Sequence, residues 1–114
     1  EVEVVVKSEA VLISHPELSE NKNNILKKML FRMDSVLSAK NSKYILLNAP
    51  NDSIQKITDI LPGMRSPTVL PLAMEGWSSI HSVISEDEFW QVIENLRDAG
   101  AEGILVVPIE KMIL

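Results

Sequence analysis

The sequence predicts an α+β domain of βαββαβ order, preceded by a partial unit of two strands and a helix. Three observations carry that prediction. Apolar residues alternate along short β-branched runs, they recur at steps of three and four along other segments, and proline or glycine marks the joins. That order is the split βαβ, or ferredoxin-like, plan, in which two helices cover one face of a four-stranded antiparallel sheet.

The partial unit spans residues 1–42. Val2, Val4 and Val6 alternate with Glu3 and Val5 as a first strand, and residues 9–14, centred on Ala10-Val11-Leu12-Ile13, read as a second. His15-Pro16 ends it, because proline cannot donate to a ladder. Over residues 21–40, Ile25, Leu26, Met29, Leu30, Met33, Val36 and Leu37 draw one stripe on a long helix. Such a stripe is expected to be core. Two strands and a helix cannot bury both their faces alone, so a further domain is expected to share that surface.

The second unit spans residues 43–114. Residues 43–48 read as a strand, and Pro50 suits the first turn of a helix whose stripe is Ile54, Ile57, Ile60 and Leu61. Pro62-Gly63 breaks that helix. Residues 67–72 form the next strand and Glu75-Gly76 a turn. Residues 77–84 are a third strand, setting Trp77, Ser79, His81 and Val83 against Ser78, Ile80, Ser82 and Ile84. Ser85-Glu86-Asp87-Glu88 is a capping box, followed by the stripe Phe89, Val92, Ile93 and Leu96 and by Gly100 at a left-handed cap. Residues 104–107 are the last strand, closed by Pro108.

Composition narrows the function. The 114 residues are 46% apolar and 24% charged, which suits one buried core and excludes a disordered chain. The absence of cysteine removes disulfides, thiolate metal sites and cysteine nucleophiles, and fits a cytoplasmic protein. A net charge of −5 argues against a nucleic-acid partner, since phosphate affinity needs a basic face. Residues 1–46 carry +1 and residues 47–114 carry −6, as two separate units would. No apolar run is long enough to cross a bilayer. The chain opens on Glu1 inside a strand pattern, so it is expected to be a fragment of a larger protein.

No catalytic or metal-binding residue is predicted. His15 and His81 lie apart without spaced ligand partners, and His81 is expected to be an ordinary exposed side chain. Glu86, Asp87 and Glu88 are explained by capping, and Asp98 with Glu102 flanks a loop. Residues 61–68 are different. Two prolines and a glycine stiffen a loop that carries the Ser66 and Thr68 hydroxyls, either a cradle for a small polar ligand or a plain turn.

At that loop a resemblance enters. Leu61-Pro62-Gly63, Ser66-Pro67-Thr68-Val69, Pro71-Leu72-Ala73, Trp77, Ala99-Gly100-Ala101-Glu102-Gly103-Ile104-Leu105-Val106 and Pro108-Ile109-Glu110-Lys111-Met112 closely resemble the C-terminal regulatory domain of the long-form ATP phosphoribosyltransferase family. Ser8-Glu9-Ala10-Val11-Leu12-Ile13 and the helix near residues 30–39 resemble the segment that closes that family's catalytic domain.

The resemblance implies a PII-like form of the fold. It implies a glycosyltransferase that opens histidine biosynthesis, moving the phosphoribosyl group of phosphoribosyl pyrophosphate to N1 of ATP with magnesium. Histidine would inhibit it allosterically by binding between neighbouring copies in a hexamer. The catalytic centre and its magnesium would lie before residue 1, leaving this chain inactive alone. Asn48, Met64, Ser66, Thr68, Val83, Ala101 and Gly103 match the family's effector pocket. Ser66 and Thr68 would offer hydroxyls, and Gly103 would admit close backbone approach. Asn48 stands where some members carry an acid, and a neutral amide pairs more weakly with an ammonium group. The alternative is a free-standing small-ligand sensor or oligomerisation module, because this fold serves many functions.

Overall fold

Strands β1 (Ser42–Pro50), β2 (Thr68–Pro71), β3 (Trp77–Ser85) and β4 (Glu102–Pro108) form one antiparallel sheet in the order β2-β3-β1-β4. This arrangement comes from a computed structural model that describes residue 3, residues 6–61 and residues 63–114. Three helices complete it: α1 (Glu20–Lys40), α2 (Ile54–Ile60) and α3 (Glu86–Asp98). From β1 to β4 the order is the βαββαβ plan that periodicity predicts.

Alternation decides which face is covered. Ile45, Leu47 and Ala49 of β1 and Ser78, Ile80, Ser82 and Ile84 of β3 are buried, while the residues between them are only half-buried. Ile57 and Leu61 from the α2 segment and Leu96 from α3 close over the buried set, with Ile54, Phe89, Val92 and Ile104 at its margin. Burying each large aliphatic side chain contributes about 1.5–3 kcal/mol, so this layer is the principal stabilising unit. Among the described residues no helix covers the opposite face, whose β1 and β3 side chains are half-buried.

Local chemistry sets the ends of α3. The Ser85 hydroxyl accepts the Glu88 N–H at 3.2 Å, and a Glu88 carboxylate oxygen accepts the Ser85 N–H at 3.0 Å. At the other end Gly100 takes φ +102°, and the N–H groups of Gly100 and Ala101 donate to the carbonyls of Arg97 and Leu96. Those two bonds make a Schellman cap. Pro50 departs from expectation. It closes β1 and precedes a 3-10 turn, Asn51–Ser53, so α2 starts at Ile54.

The N-terminal unit departs further. Helix α1 forms, and the Ser19 hydroxyl accepts the Lys22 N–H to cap it. Its apolar stripe is not core: Ile25 is 61% exposed and Leu37 60%. Only Ser35 and Ala39 are buried, because the helix meets the rest of the chain only near its C-terminal end. There the Met112 N–H donates to the Ser35 carbonyl at 2.8 Å, tying the C-terminal tail to the helix. Residues 9–14 form no strand. Among the described residues no ladder partner reaches them, and Val11 and Ile13 stand exposed. Of the other expected strand, Val2, Val4 and Val5 lie outside the described residues.

Candidate ligand-binding site

The uncovered sheet face carries Tyr44, Leu46 and Asn48 from β1, Ser79, His81 and Val83 from β3, and Thr68 and Leu70 from β2. Register aligns Tyr44 with Val83, Leu46 with His81, Asn48 with Ser79 and Thr68 with His81. Three of the seven effector candidates, Asn48, Thr68 and Val83, therefore share this face.

The seven fall into separate groups. Asn48 and Gly103 line a cleft of about 390 Å3 with Leu72, Met74, Trp77 and Glu102. Met64 and Val83 line another of about 260 Å3, together with Gly63, Ser85 and Glu88. Ser66 and Thr68 are exposed, in the adjoining loop and at the start of β2. Ala101 is buried in the core behind α3, its N–H engaged in the helix cap. The two clefts are not one pocket. Asn48 pairs with Ser79 and Val83 with Tyr44, a separation of four residues along β1, or roughly 13 Å at the rise of a strand.

Backbone geometry shapes the first cleft. Pairing of β1 with β4 shifts register between Leu46 and Asn48, and past the shift Asn48 faces Glu102. Gly103 takes φ +56° there, in the left-handed region. A Cβ on Gly103 would stand 3.8 Å from Asn48 Nδ2, so glycine leaves the strand backbone bare beside the amide. In the second cleft Gly63 is needed for space. A Cβ there would come within 3.1 Å of Ser82 Oγ and 3.3 Å of the Ser66 carbonyl carbon. Ser82 Oγ is buried and finds no hydrogen-bond partner among the described residues.

His81 is not the ordinary exposed side chain expected of it. It is half-buried, with Tyr44 Oη 2.8 Å from Nδ1 and Ser79 Oγ 2.8 Å from Nε2. The Tyr44 and His81 rings meet edge to face, centroids 5.7 Å apart. Neutral imidazole has one donor and one acceptor nitrogen, so one hydroxyl donates to the ring and the other accepts from it. Alternation alone puts His81 on this face. Alternation also sets Ser79 beside it, but finding Tyr44 requires the β1–β3 register.

Charge is sparse around these clefts. The ion pairs among the described residues are Lys43–Glu86 at 3.6 Å and Glu110–Lys111 at 3.5 Å, and neither involves Glu102. The Ser85 backbone N–H, and then its hydroxyl, hold the Glu88 carboxyl below its ordinary 4.5. No three His, Asp or Glu side chains among the described residues come together to hold a metal ion. No helix among them is long and apolar enough to cross a membrane.

The sequence is similar to that of known proteins. Residues 39–111 match the family model described as HisG, C-terminal domain. The whole chain is 65% identical to an ATP phosphoribosyltransferase of Azobacteroides pseudotrichonymphae genomovar. CFP2, and 57% and 54% identical to proteins of that name from Phocaeicola vulgatus and Bacteroides thetaiotaomicron. In each case it spans 40% of the relative's length. A match over 39–111, the stretch that holds the four-stranded sheet with its two covering helices, identifies the chain as a member of the HisG C-terminal domain family.

Proposed function

We propose that this chain is the regulatory part of an ATP phosphoribosyltransferase, the glycosyltransferase that opens histidine biosynthesis from ATP and phosphoribosyl pyrophosphate, and that it binds histidine as a feedback inhibitor. Identity of 65% along the whole chain to a protein of that name is the observation that carries this reading. Substrates and magnesium would be handled by parts of the protein outside these residues, in the cytoplasm.

The split between the two clefts supports an effector site shared by two copies. One copy would present Asn48 and Gly103, and its neighbour Met64 and Val83 with the exposed Ser66 and Thr68 of the adjoining loop and strand. Histidine bridging the two halves would favour one packing of a hexamer. Inhibition follows if histidine binds one packing more tightly and that packing is the less active, since an effector shifts an equilibrium only through differential affinity.

Thr68→Ala in the intact gene product tests the reading through the histidine concentration that half-inhibits phosphoribosyl transfer. Loss of one hydroxyl contact raises it about tenfold. Unchanged inhibition would remove Thr68 from the site, and a gene product without phosphoribosyl transfer would end the enzymatic reading.

A further inference from the structure

The cleft beside Asn48 holds a charge that the effector candidates do not include. Leu72, Met74 and the indole of Trp77 make its walls apolar, and Asn48 and Gly103 add an amide and bare backbone. Among its described lining residues Glu102 alone is charged. Glu102 sits opposite Asn48 where the β1–β4 register shifts, and it belongs to neither ion pair found among the described residues.

We propose that Glu102 is the counter-ion for the ammonium group of an amino-acid ligand, a role the neutral Asn48 cannot fill. The proposal rests on the effector reading above and names the residue that reads the amino group. Three features converge. A carboxylate accepts charge-assisted hydrogen bonds from an ammonium group, about twice as strong as those to a neutral amide. Trp77 lines the same cleft, and an indole is the aromatic ring that attracts a cation best. Gly103, without a Cβ, leaves bare backbone beside the Asn48 amide, where a Cβ would stand 3.8 Å from Nδ2.

Asn48 keeps a smaller part. Its Oδ1 accepts one N–H of the ammonium, while its Nδ2 donates elsewhere. Glu102 has a competing explanation, because an exposed charge on an edge strand discourages pairing with other strands. In that role it would affect association and leave ligand affinity alone. The two roles separate by experiment.

Calorimetry on the intact gene product uses two probes, L-histidine and 3-(imidazol-4-yl)propionate, which lacks only the amino group. Glu102→Gln is expected to weaken histidine at least tenfold while moving the deaminated probe by no more than about twofold. Asn48→Asp added to Glu102→Gln returns the carboxylate to the opposite strand and is expected to recover most of the histidine affinity. That recovery would show that the single variant lost a charge and not its fold. Histidine affinity unchanged in Glu102→Gln, or equal weakening of both probes, would overturn the assignment and leave the effector reading standing. If the unsubstituted protein binds no histidine, the effector reading fails and this assignment fails with it.

Discussion

The Tyr44 hydroxyl lies 2.8 Å from Nδ1 of His81, and Ser79 holds Nε2 of the same ring at 2.8 Å. Two neighbouring strands thus lock one imidazole at the middle of the uncovered sheet face. Tyr44→Phe removes one bond and keeps the ring contact. It is expected to cost about 1 kcal/mol in urea denaturation, and Ser79→Ala about the same. The two bonds act on one ring, so the double variant should depart from the sum of the singles by at least about 0.5 kcal/mol. Strict additivity would show that the ring is not held from both sides.

Gly100 and Gly76 compare strain with crowding. Both have positive φ, +102° and +84°. A Cβ on Gly100 would stand 3.1 Å from Ser53 Oγ, whereas one on Gly76 would meet nothing within 4 Å. Gly76→Ala is expected to lose about 1 kcal/mol from backbone strain. Gly100→Ala should lose more, and Ser53→Ala in that background should recover part of the difference. Equal losses at the two glycines in thermal denaturation would contradict the crowding at Ser53.

The capping box predicts a pH dependence. Hydrogen bonds from Ser85 hold the Glu88 pKa below 4.5 in the folded chain. A depressed folded pKa means that the unfolded state binds more protons in that range, so stability rises with pH there. The contribution is complete above 4.5 and is lost as pH falls through the folded value. Glu88→Gln should therefore be less stable than the parent near neutral pH, with the gap closing below 4.5. Ser85→Ala should cost about 1 kcal/mol near neutral pH. A gap independent of pH would show that Glu88 is not held as a carboxylate.

Burial separates the two apolar stripes. Leu96 is fully buried under α3, and Leu37 on α1 is 60% exposed. Leu96→Ala is expected to cost about 2–5 kcal/mol, and Leu37→Ala in this chain no more than about 0.5 kcal/mol. A large effect at Leu37 would mean that its stripe packs against something within the chain.

These contrasts show what a sequence states openly. Helix α3 was legible because its signals are local: Ser85 and Glu88 are three residues apart, the stripe repeats every three or four, and Gly100 follows directly. The β3 alternation showed equally well which residues share a face. Pairing was not legible. The Asn48–Glu102 juxtaposition depends on a register shift between strands distant in sequence, and so does the Tyr44–His81 contact. Residues 9–14 show the converse. An apolar run becomes a strand only with a ladder partner, and no property of Val11 or Ile13 supplies one. The α1 stripe predicted a helix correctly, but periodicity does not say what covers it. The effector candidates came from resemblance, and only the fold revealed that Asn48 and Gly103 line one cleft, Met64 and Val83 another, and Ala101 the core.

If two copies complete one histidine site, mixing two damaged subunits should rebuild it. Asn48→Leu damages the half at the β1–β4 register shift, and Ser66→Ala with Thr68→Ala damages the half at the β2 end. Each variant of the intact gene product alone is expected to bind histidine weakly. Co-assembled in equal amounts, they should regain about a quarter of the full-affinity sites, since random mixing joins two undamaged halves that often. Calorimetry that finds no recovered sites, in oligomers shown to contain both variants, would contradict the account.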